Sequence, residues 1–173
     1  LGRDGSFTSF SAVADAATQV DGPASPAALA VSSGSQTWGW TANGNPAGTR
    51  YQAELSADGD FAGAASSVTA AVRADFGGLA VNTTYYFRVK ALGVGGPDSA
   101  FSAAAASATL AVAPSGTTLR SGSPTALLIS WAAGADPVGT RYSAQASATA
   151  DFSSGASTST KELEAAFSGL TPN

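Results

Sequence analysis

The chain repeats itself with a period of 91 residues. Aromatic and turn positions recur at this single offset without gaps: Trp40 with Trp131, Arg50 with Arg141, Tyr51 with Tyr142, Phe61 with Phe152, and Leu79 with Leu170. A period of this length is that of a small domain, so the sequence predicts a tandem array. Leu1 corresponds to Leu92 and the last residue, Asn173, corresponds to Asn82. The array is therefore expected to begin and end within a repeat.

Composition argues against several classes of function. Charged residues make up 12% of the 173 residues and the net charge is −4, so no basic surface is expected for nucleic acid or for an anionic membrane. No apolar run is long enough to span a bilayer. His, Cys and Met are absent, which removes imidazole bases, thiol nucleophiles, disulfides and the usual zinc sites. We expect a non-enzymatic protein without catalytic residues, cofactors or metal sites.

Short segments rich in β-branched and aromatic residues, separated by turn formers, predict an all-β sandwich. In the first full repeat the expected strands are residues 28–31, 36–41, 50–56, 67–73, 84–92 and 101–112, and we expect about seven strands per repeat. The Ala-rich residues 103–106 favour a helix by propensity alone. Their position after a strong strand favours a strand instead.

Alternation with a period of two assigns the faces of two of these strands. One face of residues 84–92 carries Tyr85, Phe87, Val89 and Ala91, and the other carries Tyr86, Arg88 and Lys90. We expect the second face to be solvated and to hold cross-strand pairs. Residues 50–56 alternate in the same way, with Tyr51, Ala53 and Leu55 on one side.

At these positions the sequence resembles the fibronectin type III domain, a seven-stranded sandwich. The resemblance rests on a Trp in the second strand (Trp40) and a Tyr in the third (Tyr51), each repeated one period later. It also rests on Leu79, six residues before Tyr85, as in the tyrosine corner of that family. The resemblance implies tandem seven-stranded antiparallel β-sandwiches, and it implies that the Tyr85 hydroxyl bonds to nearby backbone. The sequence is also similar to repeats found in long bacterial surface proteins.

The expected organisation is one complete repeat flanked by two partial ones. Residues 1–22 correspond to the last strand of a preceding repeat, residues 23–113 to a complete domain, and residues 114–173 to the first five strands of a following repeat. Such an open sandwich exposes sheet edges and core, so residues 115–173 are not expected to be stable alone. Either the chain is an excerpt of a longer array, or neighbouring chains complete each other by strand donation. Strand donation leaves the sixth strand without a source.

Two short motifs suggest ligand sites. Asp58 and Asp60 flank a glycine as in a calcium loop, but the second copy keeps only Asp151, which favours an ordinary turn. Arg3 and Asp4 lie in a loop that presents an integrin-binding Arg-Gly-Asp motif in some fibronectin type III domains. Here the order is Arg-Asp-Gly, which favours an ordinary polar loop.

Two further positions are candidates for surface contacts. Trp38, whose counterpart is Ile129, is assigned the opposite parity to Trp40 and is expected to point outward. There it would stack on a sugar or, as we favour, pack on a neighbouring domain or chain. Asn82 begins an N-glycosylation sequon, although turn chemistry alone also accounts for it. Acidic residues do not recur as equivalent pairs, so a glycosidase-type carboxylate pair has no support.

The leading hypothesis is a non-enzymatic structural module of a bacterial extracellular fibre, filament or surface stalk built from tandem β-sandwich repeats. Its expected location is extracellular or on the cell surface, and its expected partners are copies of itself or neighbouring repeats. The alternative is a carbohydrate- or receptor-binding or spacer module of a larger secreted enzyme or adhesin. That module would use residues 43–48 or Trp38 to hold a surface glycan or a protein receptor.

Overall fold

The computed structural model describes residue 12 and residues 17–172, and these form strands, turns and loops. The strands of the first full repeat are β1 (Ala24–Val31), β2 (Ser35–Thr41), β3 (Arg50–Ser56), β4 (Ala65–Thr69), β5 (Arg73–Gly77), β6 (Thr84–Leu92) and β7 (Ala105–Ala108). The strands of the second repeat are β8 (Ser115–Ser123), β9 (Ala126–Ala132), β10 (Tyr142–Ala146), β11 (Ala156–Thr160) and β12 (Glu164–Ser168).

All the strand pairs are antiparallel. In the first repeat one sheet has the order β1-β2-β5 and the other has the order β4-β3-β6-β7. In the second repeat β12, β9 and β8 form one sheet in that order, and β10 pairs with β11. The prediction of an all-β chain made of tandem antiparallel β-sandwiches is confirmed.

The strand bounds agree with the sequence prediction at β3 and β6, β1 begins four residues earlier than expected, and the larger differences lie at two other places. Residues 67–73, expected as one strand, belong to the end of β4 and the start of β5. The backbone N–H of Ala71 donates to the Thr69 hydroxyl at 3.0 Å, a local turn that ends β4. The chain thereby crosses between sheets, because β4 pairs with β3 whereas β5 pairs with β2. Residues 101–112 contain only the short β7, and the rest is loop and linker.

The predicted inward faces of β3 and β6 form the core of the first repeat. Phe87 and Val89 are fully buried, as is Ala53 on the neighbouring strand. The backbone N–H of Ala80 donates to the Tyr85 hydroxyl at 2.9 Å, which is the tyrosine corner that the resemblance implied.

Trp38 does not point outward, and that expectation was wrong. Its side chain is 1% exposed, and its ring stacks on Phe87 with centroids 4.7 Å apart. Trp38 and Trp40 are two residues apart, so alternation with a period of two puts them on the same face of β2 and not on opposite faces. Both indoles lie between the sheets, and Trp38 is not available to stack on a sugar.

The indole of Trp38 is accommodated by a buried polar partner, Gln36. Trp38 Nε1 donates to Gln36 Oε1 at 2.9 Å, and Gln36 Nε2 donates to the backbone oxygen of Ser107 at 3.1 Å. Because Ser107 lies on β7, this chain of bonds connects the two sheets. One period later Gln36 and Trp38 are replaced together by Leu127 and Ile129. A polar pair has thus been exchanged for an apolar pair, which leaves no buried donor unsatisfied at this position.

The second repeat reproduces the packing of the first around its own tryptophan. Trp131 meets Tyr142 edge to face with centroids 5.7 Å apart, against 5.6 Å for Trp40 and Tyr51. In the first repeat one edge of β3 pairs with β6. Within residues 17–172 no strand pairs with the corresponding edge of β10. A cleft of about 560 Å³ beside β10 is lined by Trp131, Tyr142 and other residues. The core residues Trp131 and Tyr142 therefore border a cleft on this side of the second repeat.

Candidate functional site: the joint between repeats

The linker between the two repeats is hydrogen-bonded to both of them. On the first repeat, the N–H of Leu110 donates to Ser32 O at 2.9 Å and Leu110 O accepts from Asn82 N at 3.2 Å. On the second repeat, the N–H of Val112 donates to Asp136 Oδ1 at 3.0 Å. Leu110 and Val112, two positions apart in the linker, are therefore bonded to different repeats. Little free chain separates the two domains.

The bond from the linker N–H to a side-chain oxygen of this loop recurs one period earlier. The N–H of Asp21, the counterpart of Val112, donates to Oδ1 of Asn45, the counterpart of Asp136, at 2.9 Å. Both acceptors lie on the loop between the second and third strands of their repeat. We name this contact the linker clamp. Its presence on both repeats makes it a property of the repeat and not of one joint.

The two linker clamps differ in one side-chain atom, which is an amide nitrogen in Asn45 and a carboxylate oxygen in Asp136. Asn45 Nδ2 donates to Asp21 O at 2.7 Å and to Ala42 O at 2.8 Å. Asp136 carries an oxygen, Oδ2, in place of this donor, and Oδ2 is buried without a hydrogen-bond partner. The linker clamp of the second repeat therefore makes fewer bonds than that of the first.

Residues 43–48, a candidate ligand loop, use side-chain amides to bind the segment that enters their own repeat. Asn43 Nδ2 donates to Gly22 O at 2.9 Å, and Asn45 is occupied as described. Asn43 has φ of 53°, and its counterpart Gly134 has φ of 68°. The loop therefore holds the segment that enters the repeat through the side chains of Asn43 and Asn45.

Asp58 and Asp60, the candidate calcium ligands, lie on a tight exposed turn. The N–H of Phe61 donates to Asp58 O at 3.1 Å, and the N–H of Ala62 donates to Asp60 Oδ1 at 2.9 Å. Among the residues that the structure describes, no three Asp, Glu, His or Cys side chains are grouped to hold a metal ion. The Arg3 and Asp4 motif lies outside the described residues.

The outward face of β6 holds the cross-strand pairs expected of it. Arg88 contacts Glu54 through an ion pair of 2.8 Å, and its Cζ lies 4.1 Å from the ring centroids of both Phe61 and Phe101. The guanidinium is thus stacked between two aromatic rings. One period later Glu54 becomes Gln145, and Phe152, the counterpart of Phe61, is 53% exposed.

A second pair on this face perturbs a carboxylate. Lys90 Nζ lies 2.7 Å from Asp98 Oδ2, and the N–H of Gly93 donates to Asp98 Oδ1 at 3.1 Å. These two bonds, the one from Lys90 first, lower the pKa of Asp98 from its usual value of 3.8. A bond from Thr37 and the neighbouring Arg73 lower the pKa of Asp75 in the same way.

The contacts that build the joint were not predicted from the sequence. Asp136 belongs to no known motif, Val112 was identified only as part of a short linker, and Asn82 was considered only as a sequon. Position 45 carries Asn and position 136 carries Asp, two residues that share one carbonyl-like acceptor. That shared acceptor was the available sign of a repeated structural role.

Within residues 17–172 the structure contains no helix that is long and apolar enough to cross a membrane.

Comparison with known proteins supports the fold and gives no closer relationship. The sequence matches no family profile and no curated protein at a significant level. A segment of two fibronectin type III domains from chicken tenascin is similar in structure, with a TM-score of 0.52 over 88% of this chain and 85% of that chain, at 12% identity. The FN1-FN3 domains of chicken CNTN1 match 91% of this chain and 59% of that chain, with a TM-score of 0.44 and 17% identity.

A single domain is also among the similar structures. The fibronectin type III domain of human fibronectin type III domain containing protein 3 matches 57% of this chain and 93% of that domain, with a TM-score of 0.47 and 20% identity. At these identities the likeness concerns the fold alone. The tenascin segment is the informative case, because its two consecutive domains align with nearly the whole chain. The chain therefore has the all-β fold of tandem fibronectin type III domains.

Proposed function

We propose that this chain is a non-enzymatic structural module of a bacterial extracellular fibre, filament or surface stalk built from tandem β-sandwich repeats. The observation that carries the proposal is the linker, because Leu110 and Val112 are hydrogen-bonded to different repeats. A short linker fixed at both ends sets the distance and rotation from one domain to the next. A chain built from such units holds its length, as a spacer requires.

We also propose the organisation expected from the sequence. Residues 1–22 contribute the last strand of a preceding repeat, residues 23–113 form a complete one, and residues 114–173 supply the first five strands of a following one. The support is the shared period and the unpaired edge of β10 within the described residues. The partners of the module are neighbouring repeats of the same kind.

A glycan- or receptor-binding function has lost the support of Trp38, and part of its candidate loop is engaged in bonds within the repeat. Trp38 is buried against Phe87, and the amides of residues 43–48 hold the entering chain. An enzymatic function has no support either, because the sequence has no His or Cys and its acids form no recurring pair. The structural module is therefore the single function that we propose.

The length of arrays of increasing repeat number tests this function. Chains with two, four and six periods would be compared by small-angle X-ray scattering. A structural spacer predicts that the maximum dimension rises in proportion to the number of repeats. Freely jointed domains would instead follow about the square root of that number, and this result would contradict the proposal. Fractionation of the source cells would test the extracellular location, since a cytoplasmic protein cannot form a surface fibre.

A further inference from the structure

One side-chain hydrogen bond joins the two repeats directly. Asn82, on the turn before β6 of the first repeat, donates from Nδ2 to Oγ1 of Thr140 in the second repeat at 2.9 Å. These residues are 58 positions apart. Both are half-buried, so the bond lies at the margin of the joint and is not fully exposed to competing water.

Both partners of this bond are held in place by their own repeats. Thr140 Oγ1 donates to Pro137 O at 2.7 Å, which turns an oxygen lone pair towards Asn82. The backbone N–H of Asn82 donates to Leu110 O at 3.2 Å, so the turn that carries Asn82 is also fixed to the linker. Asn82 has φ of 45°, a left-handed conformation that Asn tolerates better than most residues.

The receiving loop is built in the same way on the first repeat. Thr49, the counterpart of Thr140, donates from Oγ1 to Pro46 O at 2.8 Å. The same bond from a Thr hydroxyl to a Pro carbonyl oxygen therefore shapes this loop in both repeats.

We propose that the loop from Pro137 to Thr140 is a docking surface for the Asn turn of the preceding repeat, and that the bond between Asn82 and Thr140 sets the angle between the two repeats. The linker clamp fixes where the second repeat begins, and this bond fixes its rotation about the linker. Two contacts on different sides of the linker restrict a rotation that a single contact leaves free.

The same contact gives Asn82, the first residue of the sequon, a structural role. The Asn82 amide is the donor in the joint, and a glycan attached to Nδ2 would place a sugar between the two repeats. Glycosylation at Asn82 and the docked joint are therefore incompatible. The inference deepens the proposed function and rests on it, but the two fail separately. Array length tests the spacer, whereas the angle at a single joint tests this contact.

The test measures the distance between the repeats in the full chain. The sequence has no Cys, so Ser66→Cys on β4 and Ser157→Cys on β11 give two unique spin-label sites. Both serines are exposed, and they occupy equivalent positions one period apart. Double electron–electron resonance then reports the distribution of distances across the joint. The parent protein is expected to give a single narrow peak.

Asn82→Gly and Thr140→Val remove the contact from its two sides, and Gly tolerates the positive φ of position 82. The matched controls are Asn43→Gly, another Asn at positive φ, and Thr49→Val, which loses the equivalent bond to Pro46. We expect each joint variant to lose the narrow peak in the distance distribution. The double variant should give a distribution no broader than that of either single variant. Both controls should keep the narrow peak. A narrow peak in Asn82→Gly, or equal broadening in the controls, would overturn the proposal.

Discussion

The indole ring of Trp38 and the phenyl ring of Phe87 stack with their centroids 4.7 Å apart and their planes 2° apart. Trp38 lies on β2 and Phe87 on β6, so this contact joins the two sheets of the first repeat. It packs one of the two core tryptophans of this repeat against the opposite sheet. The stability of the first repeat should therefore depend strongly on Trp38.

Replacing Trp38 by Ala should destabilise the first repeat by about 3–5 kcal/mol, the usual cost of removing a large buried aromatic side chain. The loss also leaves Gln36 Oε1 without its donor. Urea denaturation followed by circular dichroism measures this change. Val68→Ala, at a site that is 47% exposed, is the control and should have little effect. A Trp38→Ala protein of unchanged stability would contradict the buried position of this side chain.

Arg88 should contribute to stability through its two aromatic neighbours and Glu54. Arg88→Met keeps much of the aliphatic stem and removes the charge, and it should cost about 1–2 kcal/mol from the lost ion pair and cation–π contacts. The control is Arg73→Met, since Arg73 and Asp75 form an ion pair in which both side chains are 62% exposed. Such exposed pairs contribute little. Equal effects of the two substitutions in urea denaturation would argue against the stacked arrangement.

Asp136→Asn should stabilise the second repeat. The amide would supply a donor where Oδ2 now lies buried without a partner, as Asn45 does in the first repeat. Each hydrogen bond gained is expected to add about 1 kcal/mol. The reciprocal change, Asn45→Asp, should destabilise the first repeat. Urea denaturation followed by circular dichroism would compare each variant with the parent protein, and destabilisation by Asp136→Asn would contradict the expectation.

The stability of the first repeat should fall in acid partly because of Asp98. Its pKa is lowered in the folded protein by the bond from Lys90 and then by that from Gly93. A lowered pKa stabilises the fold above the unfolded value, and this contribution disappears as the pH falls through the folded pKa. Parent protein and Asp98→Asn should therefore differ near neutral pH and converge in acid. Lys90→Gln should weaken the same acid dependence, and an unchanged pH profile would exclude the proposed pair.

The period, the strand pattern and the resemblance together were enough to predict the architecture. A shared offset identifies a repeated domain, and alternation in residues 84–92 identifies the inward face of β6 because side chains alternate along any extended strand. The tyrosine corner was implied by the resemblance, to which the spacing of Leu79 and Tyr85 contributed. These features depend on neighbours in sequence, or on the resemblance that such local patterns carry. Even so, the face of Trp38 was misassigned although the same rule of alternation was available.

The joint depended on the tertiary structure. Asn82 and Thr140 are distant in sequence, and their contact exists only because two folded sandwiches bring a turn of one against a loop of the other. Gln36 likewise joins two sheets through Ser107, a residue 71 positions away. A local pattern contains no information about such pairs, since their proximity arises from the packing of whole elements. The sequence by itself determined that the chain is a tandem array of β-sandwiches, and the tertiary structure decided how one sandwich is held against the next.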